Sequence, residues 1–285
     1  MKKIIPLFIA CLLILPAKAQ IEKIKLAGDT VTIDYAYAGI LAGSYFSQDS
    51  LNFSKSVNVR LGFQGTYRPT KWLSIIAREM YQTDDQKKVL SSSLFWARFN
   101  LKSVTLETGM LPTLATESRP LSVSANGQFE QWTESIIPGT ALGAKIKYNF
   151  QKSYIGAGVF QRNKKPEYQL RFSSPHFKAS LYYSYSEREF DYRFGSTATL
   201  ITKRLYNIAT FNAGKNFGNY TIFNLNRRNK IDCYLDAGYG FKEKKIVRAE
   251  TGLLKNFSGR YLKGLFGLGY CYETGTINGT LFIHI

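Results

Sequence analysis

Charged and amide side chains recur at alternate positions along this chain. Lys145 and Lys147 sit two apart in TALGAKIKYNF, Arg60 and Gln64 share a parity in VNVRLGFQGTY, and Asp232 and Asp236 share one in IDCYLDAGYG. Residues two apart on a strand point the same way, so each set marks one face. Counted by parity, that face carries eight bases: Arg60, Arg98, Lys145, Lys147, Arg171, Lys178, Arg248 and Lys263. Against them stand four acids: Glu107, Asp232, Asp236 and Glu250. The polar residues Asn58 and Gln64 join the same face. An excess of base on one enclosed face attracts anions. The alternative is that these charges pair with one another and fill a closed interior.

Catalysis has little to work with. Beyond the leader, the histidines are His176 and His284. His176 sits in the turn-like SSPHF, and neither histidine has the serine and orienting partner of a nucleophilic hydrolase. Asp232 and Asp236 lie four apart on one strand face, well over about 10 Å apart at ~3.4 Å per residue, too far for a retaining carboxylate pair. No His, Cys and carboxylate cluster has metal-ligand spacing. No catalytic, metal or cofactor site is expected.

A second set of charges lies in the segment 111–138, LPTLATESRPLSVSANGQFEQWTESIIP. It holds Glu117, Glu130 and Glu134 against Arg119, with Phe129 and Trp132 as apolar anchors. Such a long connection is usually functional or disordered. Folded inward, it sets acid against a basic wall across a constriction. Folded outward, it covers a mouth. Both readings stand at the level of sequence.

The elements that position these residues read as strands. Alternating segments fall near 30–39, 55–67, 71–82, 88–100, 103–110, 139–150, 152–162, 166–173, 176–187, 199–213, 219–227, 230–242, 245–255, 260–272 and 276–285. Many run about 10–13 residues, longer than the 5–6 usual in globular sheets and close to a tilted transmembrane strand. Short connections at 68–71, 100–103, 149–152, 173–176, 215–219 and 242–245 are flanked by aromatics such as Tyr67, Trp72, Phe99, Phe150, Phe172, Phe217 and Phe241. These are expected at one end, as a girdle at a bilayer interface. The connections 40–54, 83–87, 111–138 and 187–198 are expected at the other. Fifteen segments are one off an even count, so either 20–28 is a missed strand or 219–227 is not one. The expected fold is an all-β, up-and-down antiparallel transmembrane barrel of about 14 strands, within a range of 12–16.

The N-terminus sets the compartment. Lys2 and Lys3 precede the apolar run IIPLFIACLLIL, then Pro16 and Ala17-Lys18-Ala19, the order of a cleavable signal peptide over 1–19. The barrel then occupies 20–285, and 285 − 19 leaves 266 residues. The whole chain has 38 Lys+Arg and 20 Asp+Glu; without the three leader lysines the balance is 35 − 20, or +15. Nucleic acid is not an expected partner, because no binding module is visible. Cys233 and Cys271 fall on opposite faces, which favours two free thiols over a disulfide.

The stretch Leu106-Glu107-Thr108-Gly109-Met110-Leu111-Pro112 is similar to a Gly-x-x-x-Pro strand end in phosphate-selective porins, where a strand also runs into a long loop. The chain then returns through Pro138-Gly139. The whole mature chain resembles Gram-negative outer-membrane porins. One departure is the ending Leu281-Phe282-Ile283-His284-Ile285, which lacks their usual terminal aromatic. The resemblance implies an outer-membrane channel for passive diffusion, and the basic face implies small anionic solutes. Arg60, Gln64, Lys145, Lys147, Arg171, Lys178 and Lys263 would line it. Glu117, Arg119, Glu130, Trp132 and Glu134 would form the constriction. Outer-membrane lipid surrounds it, and a homo-oligomer is allowed. The alternatives are a lipid-modifying barrel enzyme, or a closed barrel serving assembly, secretion or adhesion.

Overall fold

The computed structural model describes residues 24–27, 30–47, 50–83, 89–118, 133, 136–162, 164–184, 194–258 and 263–284. The expected signal peptide, 1–19, lies outside these. Seventeen strands and one short 3-10 turn appear in chain order. They are β1 (Ile24–Ala27), β2 (Val31–Ser47), β3 (Ser50–Tyr67), β4 (Leu73–Thr83), β5 (Val89–Leu101) and β6 (Val104–Pro112). After the turn Ala115–Ser118 come β7 (Thr140–Phe150), β8 (Ser153–Arg162), β9 (Lys165–Ser173), β10 (Phe177–Ser184), β11 (Phe194–Ile201) and β12 (Leu205–Asn212). The last are β13 (Asn216–Asn226), β14 (Ile231–Gly240), β15 (Lys245–Ser258), β16 (Lys263–Cys271) and β17 (Thr276–His284).

Every strand from β2 onward pairs antiparallel with the next, and β17 returns to pair with β2 through Ile277↔Phe46 to His284↔Gly39. Leaving out β1, the pairings run round 17 − 1 = 16 strands, the upper end of the expected range. β1 lies against the start of β2, with Ile24 opposite Ile33.

Alternation sorts the side chains into two faces of opposite character. Phe95 is 62% exposed, and Leu170, Ile155, Leu253 and Phe266 are similarly open on the outward face. The inward face buries Glu107, Lys145, Arg171, Asp236 and Glu250. A soluble protein has the reverse distribution, whereas a membrane barrel is apolar outside and polar within.

The sixteenth strand comes from the segment read as 199–213. It is two strands, β11 and β12, joined by a tight turn at 202–204. The residues 194–198, read as loop, belong to β11, and 219–226 of the segment read as 219–227 is within β13. The 40–54 connection is also strand: β2 and β3 leave only 48–49 between them.

Missing one turn reverses the end assigned to every later one. The connections 68–72, 102–103, 151–152, 174–176 and 202–204 lie at one end. Those at 213–215 and 241–244 lie at the other, against expectation. Aromatics therefore ring both ends. Trp72 stacks on Phe99 at 6.1 Å and Phe172 meets Phe177 at 6.4 Å at the first end. Phe211 meets Phe241 at 5.8 Å and Tyr239 meets Phe241 at 5.6 Å at the second. The turns at 213–215, 241–244 and 272–275 are short too.

Candidate functional site

Both described ends of the 113–139 connection fold into the ring. Thr113, Leu114, Ala115, Thr133 and Ile137 are fully or almost fully buried. Ala115 and Ile137 pack in one cluster with the inward Tyr182, Ile208, Tyr220, Tyr234 and Leu254. Leu114 joins a second cluster with Ile76, Leu94, Trp96, Leu111 and Phe160. Two inward glycines make room. A Cβ on Gly156 would stand 3.2 Å from Leu114 Cδ2, and one on Gly218 would stand 2.9 Å from Thr133 Oγ1.

The segment entering from β6 is pinned by charge. Lys145 Nζ and Lys147 Nζ each donate to Glu117 Oε1 at 2.6 Å, and the Tyr154 hydroxyl donates to Glu117 Oε2. The same lysines reach Glu107 Oε2 at 3.1 and 3.3 Å, and Arg98 Nε meets Glu107 Oε1 at 2.7 Å. Three bases thus enclose two acids. Burial pushes the Glu117 carboxyl up, but the charges of Lys145 and Lys147 outweigh it and hold the group down to about 2. Arg171 extends the cluster by donating to Tyr154 Oη at 2.7 Å, to the Leu114 carbonyl at 2.9 Å and to Ser180 Oγ at 2.8 Å. Gln169 Oε1 accepts from the Ala115 backbone at 2.9 Å.

The segment returning to β7 is held across the wall by one carboxylate and one amide. Thr133 Oγ1 and N both donate to Asp236 Oδ1, at 2.6 and 3.2 Å. Asn212 Nδ2 donates to the Ile136 carbonyl at 3.3 Å. Asp236 also faces Arg248 at 3.8 Å, and Arg248 is bonded to Glu250.

Register explains why these residues meet. Glu107 lies opposite Lys145, Lys147 opposite Gly156, Gly156 opposite Arg171, and Arg171 opposite Ser180. The cluster is one row across five strands, with a glycine where the loop must fit.

Lys178 lies inward on β10, opposite Ser173. Arg60 is inward and buried, and its Nε donates to Gln82 Oε1 at 3.1 Å. Gln64 donates to Asp34 at 3.0 Å. Arg119, Glu130, Trp132, Glu134 and Phe129 lie outside the described residues, as do the side chains of Asn58, Lys263 and His284. His176 is exposed in its turn, and Cys233 and Cys271 are free thiols on opposite faces.

Two expectations about charge change. The acids and bases do not face one another across a gap at Glu117; they touch. The two-to-one excess of base also shrinks. Among described residues the bases on the inward face are Lys25, Arg60, Arg78, Arg98, Lys145, Lys147, Arg162, Lys165, Arg171, Lys178, Lys245 and Arg248. The inward acids are Asp34, Glu107, Glu117, Glu167, Asp232, Asp236 and Glu250, so 12 − 7 leaves +5. Arg162 and Glu167 form a buried pair at 2.8 Å that sequence reasoning missed. Their parity with Phe160 and Gln169 was the available signal.

No protein-family model matches the sequence, and no curated protein matches it. Solved structures do. A mutant Rhodopseudomonas blastica porin matches with TM-score 0.57 over 90% of this chain and 99% of its own, at 10% identity. OmpF of Salmonella typhi, in complex with daunomycin, gives 0.62 over 92% and 100%, at 9% identity. The fold is porin-like. At such identities the likeness speaks for the fold alone. In this porin-like ring, the described ends of the 113–139 connection, 113–118, 133 and 136–139, lie inside.

Proposed function

We propose that this chain is a channel of the Gram-negative outer membrane through which small solutes diffuse passively. Export by a cleavable signal peptide over 1–19 belongs to the same reading. The observation that carries it is the inward placement of both described ends of the 113–139 connection, one gripped by Lys145, Lys147, Tyr154, Gln169 and Arg171 and the other by Asn212 and Asp236. A loop fixed inside a polar-lined ring narrows the path and sets its size limit. The outward apolar face supports a lipid surround, since a charge there costs about 2–4 kcal/mol at the midplane.

The preferred solutes are small anions, with a modest bias. Lys145 and Lys147 spend their charge on Glu107 and Glu117. Arg98, whose side chain is 40% exposed, is the open part of that cluster. Planar-bilayer recording of the refolded protein tests both claims. Steady conductance with a reversal potential slightly biased to anions is expected. Folded, inserted protein that carries no current overturns the channel reading. That outcome would favour a closed barrel, for which the fully buried Tyr182, Tyr220 and Tyr234 beside Ala115 and Ile137 speak.

A further inference from the structure

The outward face of β11–β13 breaks the apolar pattern. Asn207, Asn219 and Thr221 point outward there, framed by the small residues Ser196, Ala198, Ala209 and Ala237. The three polar side chains bond to one another. Asn207 Nδ2 donates to Thr221 Oγ1 at 2.7 Å and to Asn219 Oδ1 at 3.2 Å, and Thr221 Oγ1 donates to Asn219 Oδ1 at 2.9 Å. Two functions are left over. No described residue donates to Asn207 Oδ1, and none accepts from Asn219 Nδ2. A polar amide facing lipid with unmet hydrogen-bonding capacity is costly.

The wall is also low at this place. β12 has 8 residues between described turns at both ends. At ~3.4 Å per residue and a tilt near 40° it rises roughly 20 Å, short of an apolar band about 25 Å tall. A wall too short for its bilayer is relieved by thinning the lipid or by covering the wall with protein.

We propose that a second copy of this chain docks on β11–β13 around Asn207 and Asn219. The leftover groups are complementary: one acceptor and one donor on neighbouring strands. Their amides meet at 3.2 Å, so they lie at nearly one depth. A two-fold axis along the membrane normal therefore brings each Asn219 Nδ2 to the other copy's Asn207 Oδ1. Small neighbours let the two sheets approach. Another outward polar group, Glu79 bonded to Ser93 at 2.7 Å, is the poorer site, since a two-fold there sets acid against acid.

This inference rests on the membrane reading, so insertion is measured separately by heat-modifiable migration and protease protection in vesicles. The chain carries Cys233→Ser and one probe, Ala209→Cys at this face or Ala77→Cys beside Glu79, and is treated with a short bis-maleimide. Cross-linked dimer from the Ala209→Cys chain alone is expected. Asn207→Leu with Asn219→Leu should weaken pairing roughly eightfold, from two membrane hydrogen bonds of average strength, without impairing insertion. Inserted protein that cross-links through Ala77→Cys, or through neither probe, overturns the proposal. Failure to insert overturns the membrane reading instead.

Discussion

Replacing Glu117 by Gln separates a pinned loop from one that merely rests inside the ring. Glu117 accepts from Lys145, Lys147 and Tyr154 at once. Its carboxyl is held from 4.5 down to about 2, which corresponds to about 3 kcal/mol favouring the pinned, ionised arrangement. The substitution also strands positive charge. Lys145, at 3% exposure, Lys147 and Arg98 would share Glu107 alone. Removing one partner from such a buried cluster costs about 3–5 kcal/mol. Thr133 and Ile136 still hold the far end, so the barrel should fold while residues 113–118 loosen. Amide exchange at Ala115 and Thr116 should speed up, single-channel current should grow noisier, and the reversal potential should move toward anions as two lysines are released. Acid should imitate the variant. A depressed carboxylate stabilises above its free value near 4.5, and that stabilisation fades as pH falls toward 2. The wild-type loop should therefore hold at pH 7 and loosen between about pH 4.5 and 2. Unchanged exchange and unchanged selectivity in Glu117→Gln at pH 7 would refute the pinning.

Gly218→Leu should push the returning segment off the wall, since even its Cβ would lie 2.9 Å from Thr133 Oγ1; overpacking costs about 1–3 kcal/mol, and altered conductance with a lowered urea midpoint would show it. Leu170→Arg on the outward face should reduce stability in vesicles by about 2–4 kcal/mol, read by denaturant titration. Asp236→Asn should loosen the Thr133 end and remove one of the two carboxylates that face Arg248, raising exchange at Thr133 but not at Ala115. A membrane-permeant maleimide should label Cys233 in the native protein and leave the buried, inward Cys271 untouched, which mass spectrometry would resolve.

The faces were legible wherever alternation ran unbroken, as from Val57 to Tyr67 and from Thr140 to Phe150. The turn after Ile201 was not. Thr202-Lys203-Arg204 contains no Gly, Pro, Asn or Asp; Thr202 Oγ1 accepts from Leu205 N at 2.9 Å and from Arg204 N at 3.3 Å, doing the turn's work with a hydroxyl. That single unread turn inverted the ends of all later hairpins. At the site, the sequence showed an acidic connection and a basic wall. Which acid meets which base depends on cross-strand register and on the room left by Gly156 and Gly218, and neither is written in local periodicity. Glu117 stood in the sequence beside Glu130 and Glu134 with nothing to single it out.

The meeting of β17 with β2 governs how this molecule can be made. Ile277 and Phe46 are paired in register yet lie more than two hundred residues apart along the chain. Bringing such distant segments together costs about 5 kcal/mol in chain entropy before any hydrogen bond repays it. Until then two strands present bare backbone edges, the hazard from which aggregates grow. Closure must therefore come last, after β17 has been synthesised, and until then the nascent sheet keeps both edges open. A chain stopped before Thr276 would keep fifteen ring strands and remain permanently sticky.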